Sequence, residues 1–299
     1  MRKLVIDGPG AAIALADDLL IHGDCGDVLP RLPEGSFDLI YIDPPFNTGS
    51  TRTLTRMRAE RDANGSSDGF GGHRYTREVV SALSYGDVFD DFVAFIAPRL
   101  ERARDLLAEH GTLYFHIDYR EAHYCKILLD RLFGRECFLN EIVWAYDYGA
   151  RTKKRWPAKH DTILVYVKDP ERYWFNSDEV DREPYMAPGL QSTERAAKGK
   201  LPTDVWWHTI VPTNGRERTG YPTQKPEGIV RRMVAASSKP GGWCLDFFAG
   251  SGTLGAAAHA LGRRFVLVDE NPEAIAVMER RLEPQGGGEL PRRRLPARP

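Results

Sequence analysis

Apolar runs of strand length alternate along the chain with segments whose apolar positions recur every three to four residues. That alternation is the pattern of a mostly parallel α/β sheet with helices packed on it. It predicts strands at Leu19–Gly23, Phe37–Ile42, Thr112–Ile117, Glu141–Tyr146, Thr162–Val167, Trp243–Phe247 and Arg264–Val268. Helices are predicted at Val88–Glu109, Glu121–Phe133, Pro226–Ser237, Thr253–Leu261 and Pro272–Leu282. In the last, Asn271 can cap the helix and Pro272 suits its first position. Two segments break the rhythm. The stretch 47–86 is rich in Gly, Ser and Arg and holds "NGSSDGFGG"; it reads as a long inserted loop, of the kind that is functional or mobile in a compact domain. The stretch from Glu171 to Tyr221 is polar, carries Trp174, Trp206 and Trp207, and reads as an insertion beside the sheet. No internal repeat interrupts the pattern.

Composition narrows the class. At 299 residues with 42% hydrophobic and 28% charged, the chain can bury one large core or two modest ones. Cys25, Cys125, Cys137 and Cys244 form no CxxC pair, which argues against a zinc site or a disulfide framework and suits a reducing cytosol. Asp7, Asp17 and Asp18 interrupt the apolar start, so no signal-peptide core is expected, nor a membrane span elsewhere; the reading is a soluble cytoplasmic protein without a metal. A formal net charge of −1 excludes a uniformly basic nucleic-acid binder. The charge is nevertheless clustered. Arg52, Arg56, Arg58 and Arg61 crowd one segment, and Arg151, Lys153, Lys154, Arg155 and Lys159 another. Both are solvated loops or phosphate contacts. Residues 284–299, Pro-rich with four arginines, read as a flexible basic tail.

Two stretches carry chemistry. In "WCLDFFAGSGTLG" a strand opens into Ala249-Gly250-Ser251-Gly252-Thr253 and then a small-residue helix. Glycines let the backbone turn tightly and a ligand approach closely, and the helix N-terminus offers free N–H groups. About twenty residues on, Asp269 closes the next strand, where an α/β nucleotide site holds ribose hydroxyls. A tight turn without ligand is the plain alternative. The missing third glycine of GxGxxG disfavours a pyrophosphate and suits a nucleoside carrying a carboxylate, such as S-adenosyl-L-methionine. The other stretch, "LIYIDPPFNTG", ends a strand in Asp43-Pro44-Pro45-Phe46. Two prolines stiffen the turn and leave carbonyls free to accept. An ionised Asp only accepts. Asp43 and the Pro44 carbonyl together match an exocyclic amino group, and Phe46 adds a flat face on which an extruded base can stack. Read plainly, it is a strand stop with a proline turn.

With both stretches in view, the chain resembles the amino-group DNA methyltransferases, in which a DPPY/F or SPPY motif pairs with FxGxG. "DPPF" comes first here and "FAGSG" late, with "TQKP" (Thr223–Pro226) before the late half, which is the order of the family's beta class. "HGDCGDVL" and "GSFDLIYIDPPFNTG" resemble its N-terminal signature, and the likeness spans most of Leu19 to Leu282. The resemblance implies a Rossmann-like fold with permuted motif order, a catalytic domain from 19–146 and 222–283, and a target-recognition region at 147–221. It implies that Asp43, Pro44, Pro45 and Phe46 hold and activate the target amine. Phe248, Ala249, Gly250, Ser251, Gly252 and Thr253 would line the methionine end of the cofactor, with Lys225 flanking it or simply solvated. Asp269 would take the ribose hydroxyls, with Asn271 near it. Asp24 and Cys25 would sit by the adenine, unless Asp24 is only a helix cap. Double-stranded DNA is the implied partner, a homodimer the implied state, and a separate restriction endonuclease a companion the class permits.

Asp at position 43 leans toward adenine N6, since DPPY/F accompanies adenine in most of the family; cytosine N4 is the alternative. Phe46 departs from the commoner Tyr, keeping the stack and losing a hydroxyl. A C5-cytosine enzyme is set aside because none of the four cysteines follows a proline. An amino-group enzyme acting on RNA or protein, a dinucleotide-dependent oxidoreductase and a non-catalytic DNA-binding subunit remain as rivals.

Overall fold

A computed structural model of the chain describes residues 1–47, 89, 91–149 and 151–283, together with the backbone of three strands between Arg52 and Tyr85. The first part of the chain carries β1 (Arg2–Val5), β2 (Leu19–His22), α1 (Cys25–Val28) and β3 (Phe37–Ile42). A separate three-stranded antiparallel sheet follows, from β4 (Arg52–Arg61), β5 (Ser67–Asp68) and β6 (Arg74–Tyr85). Then come α2 (Phe92–Leu106), β7 (Leu107–Ile117), α3 (Ala122–Phe133), β8 (Phe138–Ala145), β9 (His160–Val167), α4 (Thr193–Lys198) and β10 (Val205–Trp207). The late half adds α5 (Glu227–Ser237), β11 (Trp243–Asp246), α6 (Thr253–Ala260), β12 (Arg264–Asp269) and α7 (Pro272–Leu282). Nine strands form one sheet in the order β1-β2-β12-β11-β3-β7-β9-β8-β10. It is parallel from β1 to β7, with β9 antiparallel to both its neighbours.

The strands are apolar on both faces because helices cover both. In β3, Ile40 and Ile42 face one core with α2 and α3, whereas Leu39 and Tyr41 face the other with α5, α6 and α7. β12 splits the same way, Val266 and Val268 against Phe265 and Leu267. A period of two with both faces buried gives a continuous apolar run, which is why these strands stand out in the sequence.

Three expectations change. The helix expected over Val88–Glu109 starts at Phe92, where Asp91 caps it by accepting from Ala94 N–H at 2.9 Å; it stops at Leu106, and the chain goes straight into β7. Part of the stretch 47–86 expected as loop is strand: β4 and β6 pair over ten positions, favoured by alternating and β-branched residues such as "TLT" and "REVV". The remainder of that stretch and the tail 284–299 lie outside the described residues. Within the region 147–221, the strand expected at Thr162–Val167 is found as β9, which pairs with both β7 and β8. The segment after Glu171, expected beside the sheet, is not wholly so: β10 joins its edge in parallel with β8, and Arg263–Glu179 at 2.7 Å and Arg232–Glu183 at 2.6 Å tie the rest down. No helix among the described residues is long and apolar enough to cross a membrane.

Candidate active site

Parallel strands bring their acids to one edge. Ile40 of β3 lies beside Leu245 of β11, Asp246 beside Leu267 of β12, and Asp269 beside His22 of β2. Asp43, Asp246, Asp269 and Asp24 therefore all leave the carboxyl ends of neighbouring strands, the edge where open α/β sheets bind ligands. A cavity of about 990 Å³ opens over it. Its walls include Asp43, Pro44, Pro45 and Phe46 on one side and Phe248, Ala249, Gly250, Ser251, Thr253, Asp269 and Asn271 on the other. Asp24, Cys25 and Lys225 line it too. Gly252 does not. It sits beneath the loop at φ 72°, where a Cβ would come within 2.7 Å of Met278 Cγ, so it shapes the turn rather than the wall.

On the glycine side, Asp269 accepts from Gly250 N–H at 2.7 Å and Asn271 N–H at 2.9 Å. Burial pushes its carboxyl up to about 6, against the pull of those two backbone bonds. Gly250 has φ 49°, a left-handed conformation that a side chain resists. Arg281 of α7 clamps the loop, donating at 3.0 Å to both Ser251 O and Thr253 Oγ1. Asp24 caps α1, accepting from Gly26 N–H at 2.5 Å, and also lines the cavity. Arg99 Nε donates to Cys25 Sγ at 3.1 Å, and burial pushes that thiol up to about 11.

The proline side is built as a network. Asp43 Oδ2 accepts from the Lys225 ammonium, so the lysine expected beside the glycine loop turns its charge onto the acid. Its carbonyl faces the loop instead, accepting from Thr253 Oγ1 at 3.2 Å. Asp43 Oδ1 is buried and has no hydrogen-bond partner among the described residues; His116 Nδ1 is 3.9 Å away. His116 is fully buried. It meets Tyr41 Oη at 3.0 Å through Nδ1 and Asp161 Oδ2 at 3.3 Å through Nε2, and its ring lies 5.7 Å from that of Phe46. Asp161 also accepts from Tyr146 Oη at 3.0 Å. Burial works to raise the Asp161 carboxyl, but His116, Lys225 and Tyr146 overcome it and hold it below the usual range.

Three of these groups escape sequence reading. Asp246 accepts from Phe248 N–H at 3.0 Å, and burial drives its carboxyl well above the usual range. Its signal was available, since it closes a strand as Asp43 and Asp269 do. His116 and Asp161 gave no such signal. Their strands are antiparallel neighbours, and only that pairing brings His116, next to last in β7, beside Asp161, second in β9.

The basic run 151–159 hangs at the cavity's lip. Arg155 lines the wall and donates to Tyr119 Oη at 3.2 Å; Arg151, Lys153 and Lys154 are exposed. Lys159 turns inward to Gly149 O at 3.2 Å. Of the three tryptophans singled out, Trp206 is buried and Trp207 exposed, while Trp156, within the basic run, is 94% exposed.

Comparison with known proteins agrees with this geometry. The family model described as DNA methylase matches residues 37–280. DNA adenine methyltransferase YhdJ of Escherichia coli (strain K12) is 30% identical over 277 residues, covering 88% of this chain and 82% of its own. Type II methyltransferase M.HpaI of Haemophilus parainfluenzae is 30% identical over 272 residues, covering 91% and 76%. The cytosine-N4-specific PvuII DNA methyltransferase superposes with a TM-score of 0.60 at 15% identity, over 90% of this chain and 87% of that one. M1.HpyAVI in complex with SAM gives 0.55 at 19% identity, over 88% and 97%. At those identities the last two speak for the fold. A family match over most of the length, laid on a cavity that both motifs share, makes this chain a member of the N6/N4 amino-group DNA methylase family: a DNA methyltransferase whose cofactor is S-adenosyl-L-methionine.

Proposed function

We propose that the enzyme methylates the exocyclic N6 amino group of adenine in duplex DNA, after the base has turned out of the helix into the cavity. The observation that carries the reading is the shared cavity, with the Asp43–Phe46 turn on one wall and the glycine loop on the other. The wall residues suit the cofactor: a carboxylate at the end of β12 for ribose hydroxyls, and a loop held low by glycine at Gly250. When bound, S-adenosyl-L-methionine supplies an electrophilic methyl group on a sulfonium. Phe248, Ala249, Gly250, Ser251 and Thr253 would hold its methionine end, Asp269 and Asn271 its ribose, and Asp24 and Cys25 its adenine.

Asp43 and the Pro44 carbonyl accept the two N–H bonds of the target amine. That nitrogen is a poor nucleophile while its lone pair is shared with the ring. Two acceptors favour a tetrahedral nitrogen with the pair released, and the Asp43 charge stabilises the positive charge that grows as the new C–N bond forms. The proton then shed by nitrogen goes to an Asp43 oxygen. Phe46 holds the ring by stacking, with Pro45 stiffening the turn. Adenine is favoured by the aspartate that opens the motif and by the relationship to a protein named as a DNA adenine methyltransferase. Labelled S-adenosyl-L-methionine incubated with mixed genomic DNA is expected to leave its label in N6-methyladenine. Label in N4-methylcytosine would give the case to the runner-up, and sequencing of the modified bases would report the recognised word.

Residues 147–221 supply target recognition in this reading, with Arg151, Lys153, Lys154, Arg155 and Lys159 as phosphate contacts. Replacing Arg151, Lys153 and Lys154 with alanine is expected to weaken DNA binding and to flatten its salt dependence, by about 0.9 in the logarithmic slope for each phosphate no longer neutralised. A salt slope equal to that of the unaltered protein would return the run to a solvated loop. We extend the reading to a cytoplasmic homodimer, working alone or beside a separate restriction endonuclease.

A further inference from the structure

We propose that Lys225 occupies, in the DNA-free enzyme, the seat that the target amino group takes during reaction, so that an arriving base must displace it. The proposal rests on the reading of Asp43 and Phe46 as the groups that hold the base. The Lys225 ammonium donates to Asp43 Oδ2 and stands 4.9 Å from the centroid of the Phe46 ring. An extruded base brings the same two features, an N–H donor for the carboxylate and a partner for the ring face. Asp43 Oδ1 is buried, so an arriving amine meets Oδ2, the oxygen that Lys225 holds.

The pair is screened little by water, with the side chains of Lys225 and Asp43 only 10% and 17% exposed. A carboxylate so placed is costly to leave without a partner, and breaking such a pair is disfavoured. The ammonium therefore keeps the acid partnered and the seat ordered until a substrate comes. It also does so without consuming cofactor. A protonated amine has no lone pair, so the resident nitrogen cannot accept the methyl group that the target nitrogen accepts.

Displacement needs no change in the main chain. The Lys225 carbonyl stays bonded to Thr253 Oγ1, while the four-carbon stem of a lysine can swing its head. Asp161, whose carboxyl is held below the usual range, lines the same cavity and offers the displaced ammonium a second partner. The exchange replaces an ion pair with a hydrogen bond from a neutral donor, so stacking on Phe46 and both amine donors are needed to offset it. A base with no amino group, such as thymine, would strip the acid of its cation and return nothing. Lys225 is in this sense a specificity-determining residue.

The test measures binding of a duplex containing the recognised site, with S-adenosylhomocysteine present so that no methyl can move. Lys225→Met is expected to bind that duplex about tenfold more tightly than the unaltered enzyme, and a 2-aminopurine at the target position to fluoresce more strongly. Lys225→Arg, which keeps the cation, is expected to show neither effect. Adding Asp43→Ala to Lys225→Met should give no further tightening, since the two residues act through one pair. Lys225→Gln, neutral and close in size, reads the same quantity if the methionine variant does not fold. Unchanged duplex affinity in Lys225→Met and Lys225→Gln would overturn the proposal, as would a loss confined to cofactor affinity. Failure of the underlying reading looks different: it would appear as full methylation by Asp43→Ala, whatever Lys225 does.

Discussion

Asp43→Ala is expected to slow methyl transfer by about 10³-fold while cofactor affinity is retained. The separation follows from where the residue sits. Asp43 closes β3 on the proline side of the cavity, and the groups that touch it are Lys225, His116 and the Phe46 turn, not the glycine loop. Its loss removes the negative acceptor that the target amine needs as charge grows on nitrogen, an interaction absent from the cofactor complex alone. Asp43→Asn should be nearly as slow, because one of its two acceptors becomes an NH2 donor facing another donor. One complication can be removed by design. Without Asp43 the Lys225 ammonium loses its partner and can obstruct the seat, so the rate should also be measured for Asp43→Ala in the Lys225→Met background. Single-turnover rates with pre-bound cofactor, beside calorimetric titration of the cofactor, check both halves. A variant that methylates at the original rate would remove Asp43 from the mechanism.

Asp269→Ala is expected to weaken cofactor binding by about 10²-fold, with a smaller effect on DNA affinity. Each Asp269 oxygen already accepts one backbone N–H, from Gly250 and from Asn271, and each has a lone pair left for a ribose hydroxyl. The residue thus holds the glycine loop and lines the cavity at once, and alanine removes both. The same carboxylate makes binding depend on pH. Burial raises its pKa from the ordinary carboxylate range to about 6, so it is ionised at neutral pH and takes up a proton as the pH falls through 6. The ionised form is the acceptor, so affinity is expected to be full above about pH 7 and to decline below 6. Titration calorimetry between pH 5 and 8 reads it directly. A flat profile together with unimpaired binding by Asp269→Ala would place the ribose elsewhere.

Much of this site was legible before any fold was known. Asp43 and Asp269 each close an apolar run, and the glycine turn follows another; a strand's own alternation and its terminating residues are local facts. The Pro272–Leu282 helix is found with the bounds expected, because Asn271 accepts from Glu273 N–H and Pro272 takes the first position. Where local cues were thin the reading slipped. β1 and β10 are four and three residues long and mostly exposed, so they carry no alternation to find. The overlong helix before β7 failed for a related reason. Nothing in "LLAEHG" marks the change from helix to strand, and Leu107 turns extended only where β7 meets β3.

What the sequence determined by itself is the set of parts: the sheet's apolar strands, an acid on a proline turn, a glycine turn, and their permuted order. What the tertiary structure alone decided is which parts meet. Lys225 and Asp43 are 182 residues apart and bond because α5 and β3 reach one edge. His116 stands behind the acid because β9 runs against β7 and brings Asp161 to its other side. Contacts of that kind depend on strand order and register, which are set by burying every face of the sheet together and not by any one segment.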